Sequence, residues 1–114
     1  MIESPLELRK NHSVQFEKYK ELMPEIGHAY DVLPEKVFKD GKIAAKIKRL
    51  MALTGSLVHG CPACILFQTE KALDLGADVE EILESCAVAI SLGGTMAAGE
   101  TTRVIQHLTE LGKI

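Results

Sequence analysis

Lys42 to Cys64 reads KIAAKIKRLMALTGSLVHGCPAC, and this stretch decides the fold class. Ile43, Ile47, Leu50, Met51, Thr54 and Leu57 recur at the 3.6-residue spacing of a helix, with Lys42, Lys46, Lys48 and Arg49 on the other side. The spacing predicts a core helix over residues 42–58. Its basic side reads as a solvated face that could also neutralise an acidic partner. His59-Gly60 ends the helix and leads directly into Cys61-Pro62-Ala63-Cys64. Proline suits the first position of a helix, where its missing N–H costs nothing. Cys61 is therefore expected at or beside the N-cap of a further helix running to about Leu75.

The same periodicity continues in both directions. On the N-terminal side, Ser4-Pro5-Leu6-Glu7 reads as a capping box. It opens a helix to about Met23 with Leu8, His12, Phe16 and Tyr19 on one stripe, so residues 1–23 form an N-terminal helix. Pro24 starts a second helix carrying Ile26, Ala29, Tyr30 and Leu33. Pro34 should interrupt that helix, since it removes a donor and disfavours helix in the residue before it. Asp40-Gly41 is a turn signal. On the C-terminal side Gly76 is a stop, and Asp78 with Glu81 forms another capping box. The next helix reaches about Leu92, with Val79, Ile82, Leu83, Cys86, Ala89 and Ile90 inward. Gly93-Gly94-Thr95 breaks the chain, and a last helix from about Ala97 to Leu111 turns Val104, Leu108 and Leu111 inward.

Composition agrees with an all-α reading. Aromatics make up only 4%, Trp is absent, and alternating β-branched runs are nearly absent. A chain of 114 residues is a single domain, 1–114, long enough to bury a core without disulfide staples. With 46% hydrophobic and 25% charged residues it is neither disordered nor a coiled coil. The net charge of −3 and pI near 5.8 lack the footprint of a nucleic-acid binder. Apolar stretches are interrupted by charge or Gly, so no membrane span is expected. The start, Met1-Ile2-Glu3-Ser4, has no basic segment followed by an apolar run and does not read as a secretory signal. Three cysteines, two of them close together, suit a reducing, cytoplasmic compartment.

Cys61 and Cys64 carry the chemistry. Two thiols three residues apart at a helix start can close a small disulfide. The unpaired N–H groups and partial positive charge of that helix end favour thiolate over thiol. A thiolate attacks disulfides and peroxides, so the motif holds an attacking and a resolving sulfur in one segment. Two rival readings remain at this point: inert buried cysteines, or half of a zinc or iron site completed by Cys86 and His59. A structural zinc commonly takes two such pairs, and only one is present, so no metal and no cofactor is expected. Cys86 reads as core filler. His59 suits a proton shuttle or a helix-end histidine held by the dipole. Gln68 lies one helical turn beyond Cys64 on the same face. It can hydrogen-bond there but cannot act as a base. His12 and His107 read as solvated or packed, and His28 is uninformative.

Three segments together resemble the carboxymuconolactone decarboxylase family, most closely its AhpD-like alkylhydroperoxidase branch. They are Lys48-Arg49-Leu50-Met51-Ala52-Leu53, His59-Gly60-Cys61-Pro62-Ala63-Cys64, and Leu75-Gly76-Ala77-Asp78-Val79-Glu80-Glu81-Ile82. The resemblance spans roughly Pro24 to Leu111. It implies an all-α helical bundle, a homo-oligomer (often a trimer or hexamer), and thiol redox chemistry at the cysteine pair. A peroxide or a protein disulfide would be the substrate and an external dithiol the reductant. The family's peroxidase pattern has a Glu twelve residues before the first cysteine and a His four after the second. Here those positions hold Arg49 and Gln68, so the cysteines carry over and the relay residues do not. His59, Glu70 or a residue of a neighbouring subunit could compensate. Cys61, nearer the N-cap, is the expected attacking thiol with Cys64 resolving, although the family precedent permits the opposite order. A non-catalytic oligomeric binding protein and a cofactor-free, decarboxylase-like enzyme are the alternatives on the same scaffold.

Overall fold

In the computed structural model, which describes residues 3–114, five helices follow one another: α1 (Pro5–Leu22), α2 (Pro24–Val37), α3 (Ala45–His59), α4 (Pro62–Asp74) and α5 (Val79–Glu110). Met1 and Ile2, the first residues of the expected N-terminal helix segment and of the leader reading, lie outside the described residues.

The core is built where α3, α4 and α5 meet. Leu53 and Leu57 of α3, Ile65 of α4, and Ile82, Val104 and Leu108 of α5 are fully buried. The inward stripe of α3 is therefore Leu50, Leu53 and Leu57, whereas Ile43, Ile47 and Met51, which the periodicity placed in the core, are exposed. Side chains at i, i+3 and i+7 share one stripe, and a single residue's rotation of the helix exchanges one stripe for its neighbour. The basic side of α3 is not simply solvated. Lys46 pairs with Glu81 at 3.0 Å, Lys48 donates to the carbonyls of Val37 and Lys39, and Arg49 stacks 3.7 Å over the Phe38 ring. The Lys48 and Arg49 contacts fasten the end of α2 to α3, and the Lys46–Glu81 pair ties α3 to α5.

Several boundaries differ from the sequence-based expectation, each for a local reason. α3 begins at Ala45 rather than Lys42 because the Asp40 carboxylate accepts from the Ala45 N–H at 2.8 Å, holding 40–44 as a turn. α2 runs through Pro34. The helix bond that Pro34 cannot make would fall on the Tyr30 carbonyl, and Tyr30 is at the surface, where water can take its place. The expected break at Gly93-Gly94 is a kink at one residue: Gly94 adopts φ 61° and ψ −141°, a region that excludes most side chains, and helix resumes after it. At the N-terminal cap the Ser4 hydroxyl accepts from the Glu7 N–H, but the carboxylate completing the cap is Glu110 of α5, not Glu7. The Asp78–Glu81 box forms as expected. There the Asp78 N–H, and then Lys46, hold the Glu81 carboxyl below the usual carboxylate range.

α5 is long and apolar enough, by length and composition alone, to cross a bilayer, which overturns the expectation that no segment qualifies. Its inner side forms the core described above, and it is divided by the Gly94 kink. Val88, Leu92, Met96 and Ile105 on its outer side are exposed. The outer faces of α2 (Ile26, Tyr30, Leu33) and α3 (Ile47, Met51) are apolar and exposed as well.

Candidate redox site

α3 ends in the left-handed residue Gly60, φ 74°, whose N–H returns to the Ser56 carbonyl. A Cβ at Gly60 would touch the Met96 sulfur at 3.5 Å, so the turn lies against α5 just beyond its kink. The chain then reverses, and Cys61 caps α4 in extended conformation with Pro62 at the first helical position. Cys61 and Cys64 are joined in a disulfide, their Cα atoms 5.3 Å apart. The Cys61 sulfur also accepts from the Cys64 N–H at 3.3 Å, taking the place that a Ser or Asp oxygen fills at an ordinary N-cap. Cys61 is half-buried and Cys64 exposed. The pair is thus neither inert core nor remote from solvent, which removes the reading as two buried structural cysteines.

Cys86, by contrast, is a core residue, 2% exposed, and burial pushes its thiol above the usual range. Among the described residues no group of three or more His, Cys, Asp or Glu is placed to hold a metal ion, so the geometry lends nothing to a zinc or iron site with Cys86 and His59. His59 is the last residue of α3 and is exposed.

Gln68 does not turn to a sulfur. Its Oε1 accepts from Arg49 Nη1 at 3.1 Å, so the two positions at which the sequence departs from the peroxidase pattern are bonded to each other. Burial lowers the Arg49 pKa from its ordinary value, and its Nε is buried without a hydrogen-bond partner. This pairing was not foreseen; the signal available was that both members of a two-residue device had changed together. Glu70 is also committed elsewhere. Its Oε2 accepts from Arg9 Nε at 2.9 Å and shares a hydrogen bond with His107 Nε2 at 2.8 Å. His107 is fully buried, packed as one of its two expected readings had it, and the cluster ties α1 to α4 and α5.

The family model for carboxymuconolactone decarboxylase matches residues 24–107. A crystal structure of an apo carboxymuconolactone decarboxylase family protein from Legionella pneumophila superposes with a TM-score of 0.88 at 27% identity, covering 93% of this chain and 95% of that one. A Thermotoga maritima family protein, described with a suggested involvement in antioxidative response, gives a TM-score of 0.70 at 32% identity over 75% of this chain and 88% of that one. An uncharacterised protein of Cupriavidus necator is 28% identical over 97 residues, 85% of this chain and 86% of its own length.

Proposed function

Because the chain belongs to the carboxymuconolactone decarboxylase family and holds a bonded cysteine pair at a helix N-terminus, we propose that it is a thiol–disulfide oxidoreductase with peroxide-reducing activity. The observation that carries this reading is the Cys61–Cys64 disulfide at the start of α4, with Cys64 open to solvent. In the reduced form, the first-turn N–H groups and the helix dipole stabilise a thiolate there. The thiolate attacks the distal oxygen of a hydroperoxide. The O–O bond breaks, the alkoxide takes a proton from water and leaves as the alcohol, and the sulfur becomes a sulfenic acid. The second cysteine loses its proton to solvent and attacks that sulfur as a thiolate; the S–O bond breaks and the hydroxide that leaves takes up a proton to become water, closing the disulfide. An external dithiol returns both sulfurs to thiols and is itself oxidised to a disulfide. Neither Arg49 nor Gln68 serves as a base, so proton movement is assigned to solvent, with His59 the nearest imidazole in sequence. A reducing compartment such as the cytoplasm suits this cycle.

The test is direct. One equivalent of peroxide added to the fully reduced protein should convert Cys61 and Cys64 into a single intramolecular disulfide, read by intact-mass and peptide mass spectrometry. Finding both thiols free, or only over-oxidised single sulfurs, overturns the mechanism. The Arg49–Gln68 bond favours one second reading, a binding protein on the same scaffold. That reading predicts alkylation of both cysteines rising up to pH ~8.5, as for free thiols.

The assembly is proposed to be a homo-oligomer, trimer or hexamer. Its support is the set of exposed apolar faces on α2, α3 and α5, which another copy of the chain would cover. Leu33, 64% exposed on α2, is a suitable probe. Leu33→Glu should lower the mass measured by light scattering while leaving helicity unchanged, and a wild-type monomer at micromolar concentration would refute the assembly.

A further inference from the structure

Every other arginine among the described residues has a carboxylate: Arg9 has Glu70 and Arg103 has Glu100. Arg49 has none. Its guanidinium is pressed against Phe38 at 3.7 Å, uses one N–H on a neutral amide, and leaves Nε buried and unpartnered. Holding a partly desolvated cation without a counter-charge is costly, and an anion that arrives there relieves the cost. The surroundings reinforce the sign. Arg9, Lys71 and Arg49 lie 5.2, 5.3 and 5.8 Å from the centre of the Phe67 ring. Glu70 offsets Arg9 only in part, through a single Nε contact it also shares with His107. Phe67 and Gln68 come one turn after Cys64 on α4, Gln68 on the same helix face, so the backbone positions of Cys64 and Gln68 are about 6 Å apart along the helix axis. The whole chain carries −3, which makes a local excess of positive charge around Phe67, one turn along α4 from Cys64, a specific feature and not a general one.

We infer that the Arg49–Gln68–Phe67 surface is a substrate-selecting subsite, one that takes a carboxylate or similar anion attached close to the S–S or O–O bond that the cysteine pair attacks. The inference rests on the redox reading above and adds the class of substrate. Arg49 acts by binding the anionic end, and Gln68 positions Arg49 through the hydrogen bond at 3.1 Å. A neutral or cationic substrate meets the same thiolate without that hold.

The test uses the reduced full-length protein and three small symmetrical disulfides of similar size: the cationic cystamine, the neutral 2-hydroxyethyl disulfide and the dianionic 3,3′-dithiodipropionate. Each exchange rate is divided by that of 2-mercaptoethanol with the same disulfide, which removes intrinsic differences in leaving group. At low salt the normalised rate for the dianion should exceed that for the neutral disulfide by about tenfold, with cystamine slowest. Salt near 0.5 M should shrink the preference, since exposed parts of the interaction are screened. Arg49→Gln should reduce it to under about twofold, while Arg49→Lys, which keeps the charge, restores part of it. Equal normalised rates for all three disulfides in the wild type, or an unchanged preference in a folded Arg49→Gln variant, overturn the inference and leave the redox reading standing. Absence of exchange with all three overturns both. The wild-type charge and salt series decides the matter even if Arg49→Gln does not fold.

Discussion

Peroxide turnover with an external dithiol should fall by at least about 10²-fold in both Cys61→Ser and Cys64→Ser, because a hydroxyl neither ionises near neutral pH nor forms a disulfide. The two variants should nevertheless fail differently. The one that keeps the attacking sulfur still meets peroxide and stops at a sulfenic acid, which a dimedone adduct reveals and which excess peroxide drives to the sulfinic acid. The one that has lost it leaves a sulfur that reacts only as a slow free thiol. Position argues for Cys61 as attacker, since its sulfur receives the Cys64 N–H at 3.3 Å at the helix N-cap. Exposure argues for Cys64, which is the more open of the two. Trapping the sulfenic acid in one variant and not the other assigns the order. Wild-type peroxide consumption in both variants would remove the cysteine pair from the reaction altogether.

A second large effect concerns stability. Leu53 is completely buried at the middle of α3, against α4 and α5. Leu53→Ala removes its burial and opens a cavity that the surrounding helices fill only in part, at a cost of roughly 2–5 kcal/mol. That is a large share of the ~5–15 kcal/mol available to a domain of this kind, and should lower Tm by about 10 °C or more. Met51→Ala, two residues away on the exposed side, should cost well under half as much in a dissociated chain. Thermal unfolding of the two variants checks this, and equal losses would place the core stripe of α3 elsewhere. In the assembled state Met51→Ala should cost more than in the dissociated chain if another copy covers that face, which connects this measurement to the oligomer test.

These two helical faces also show where sequence reasoning stops. The period of apolar residues made α3 a helix, and the Pro62 and Asp78 signals located the starts of α4 and α5 to the residue. Periodicity alone cannot choose between adjacent stripes when both are apolar, as they are here: Ile47 and Met51 on one, Leu53 and Leu57 on the other. Which stripe is buried within the chain depends on where α4 and α5 lie. Pro34 and Gly94 make the same point at the level of backbone. A proline at the surface is tolerated within a helix because water replaces one bond, and a glycine kink joins two helices that local signals separate.

What the amino-acid sequence determined by itself was local: the helical character of each segment, the starts of α4 and α5, and two cysteines placed at a helix N-terminus, where backbone dipoles act on them over a few ångströms. Such features follow from residues within a turn or two of each other. The tertiary structure alone decided that Arg49 and Gln68, nineteen positions apart, are bonded, that Glu70 is held by Arg9 and His107, and that Glu110 completes the cap at Ser4. Those pairings join side chains from different helices. A polar group's partner is set by packing and by the need to satisfy each buried donor, neither of which a linear pattern contains.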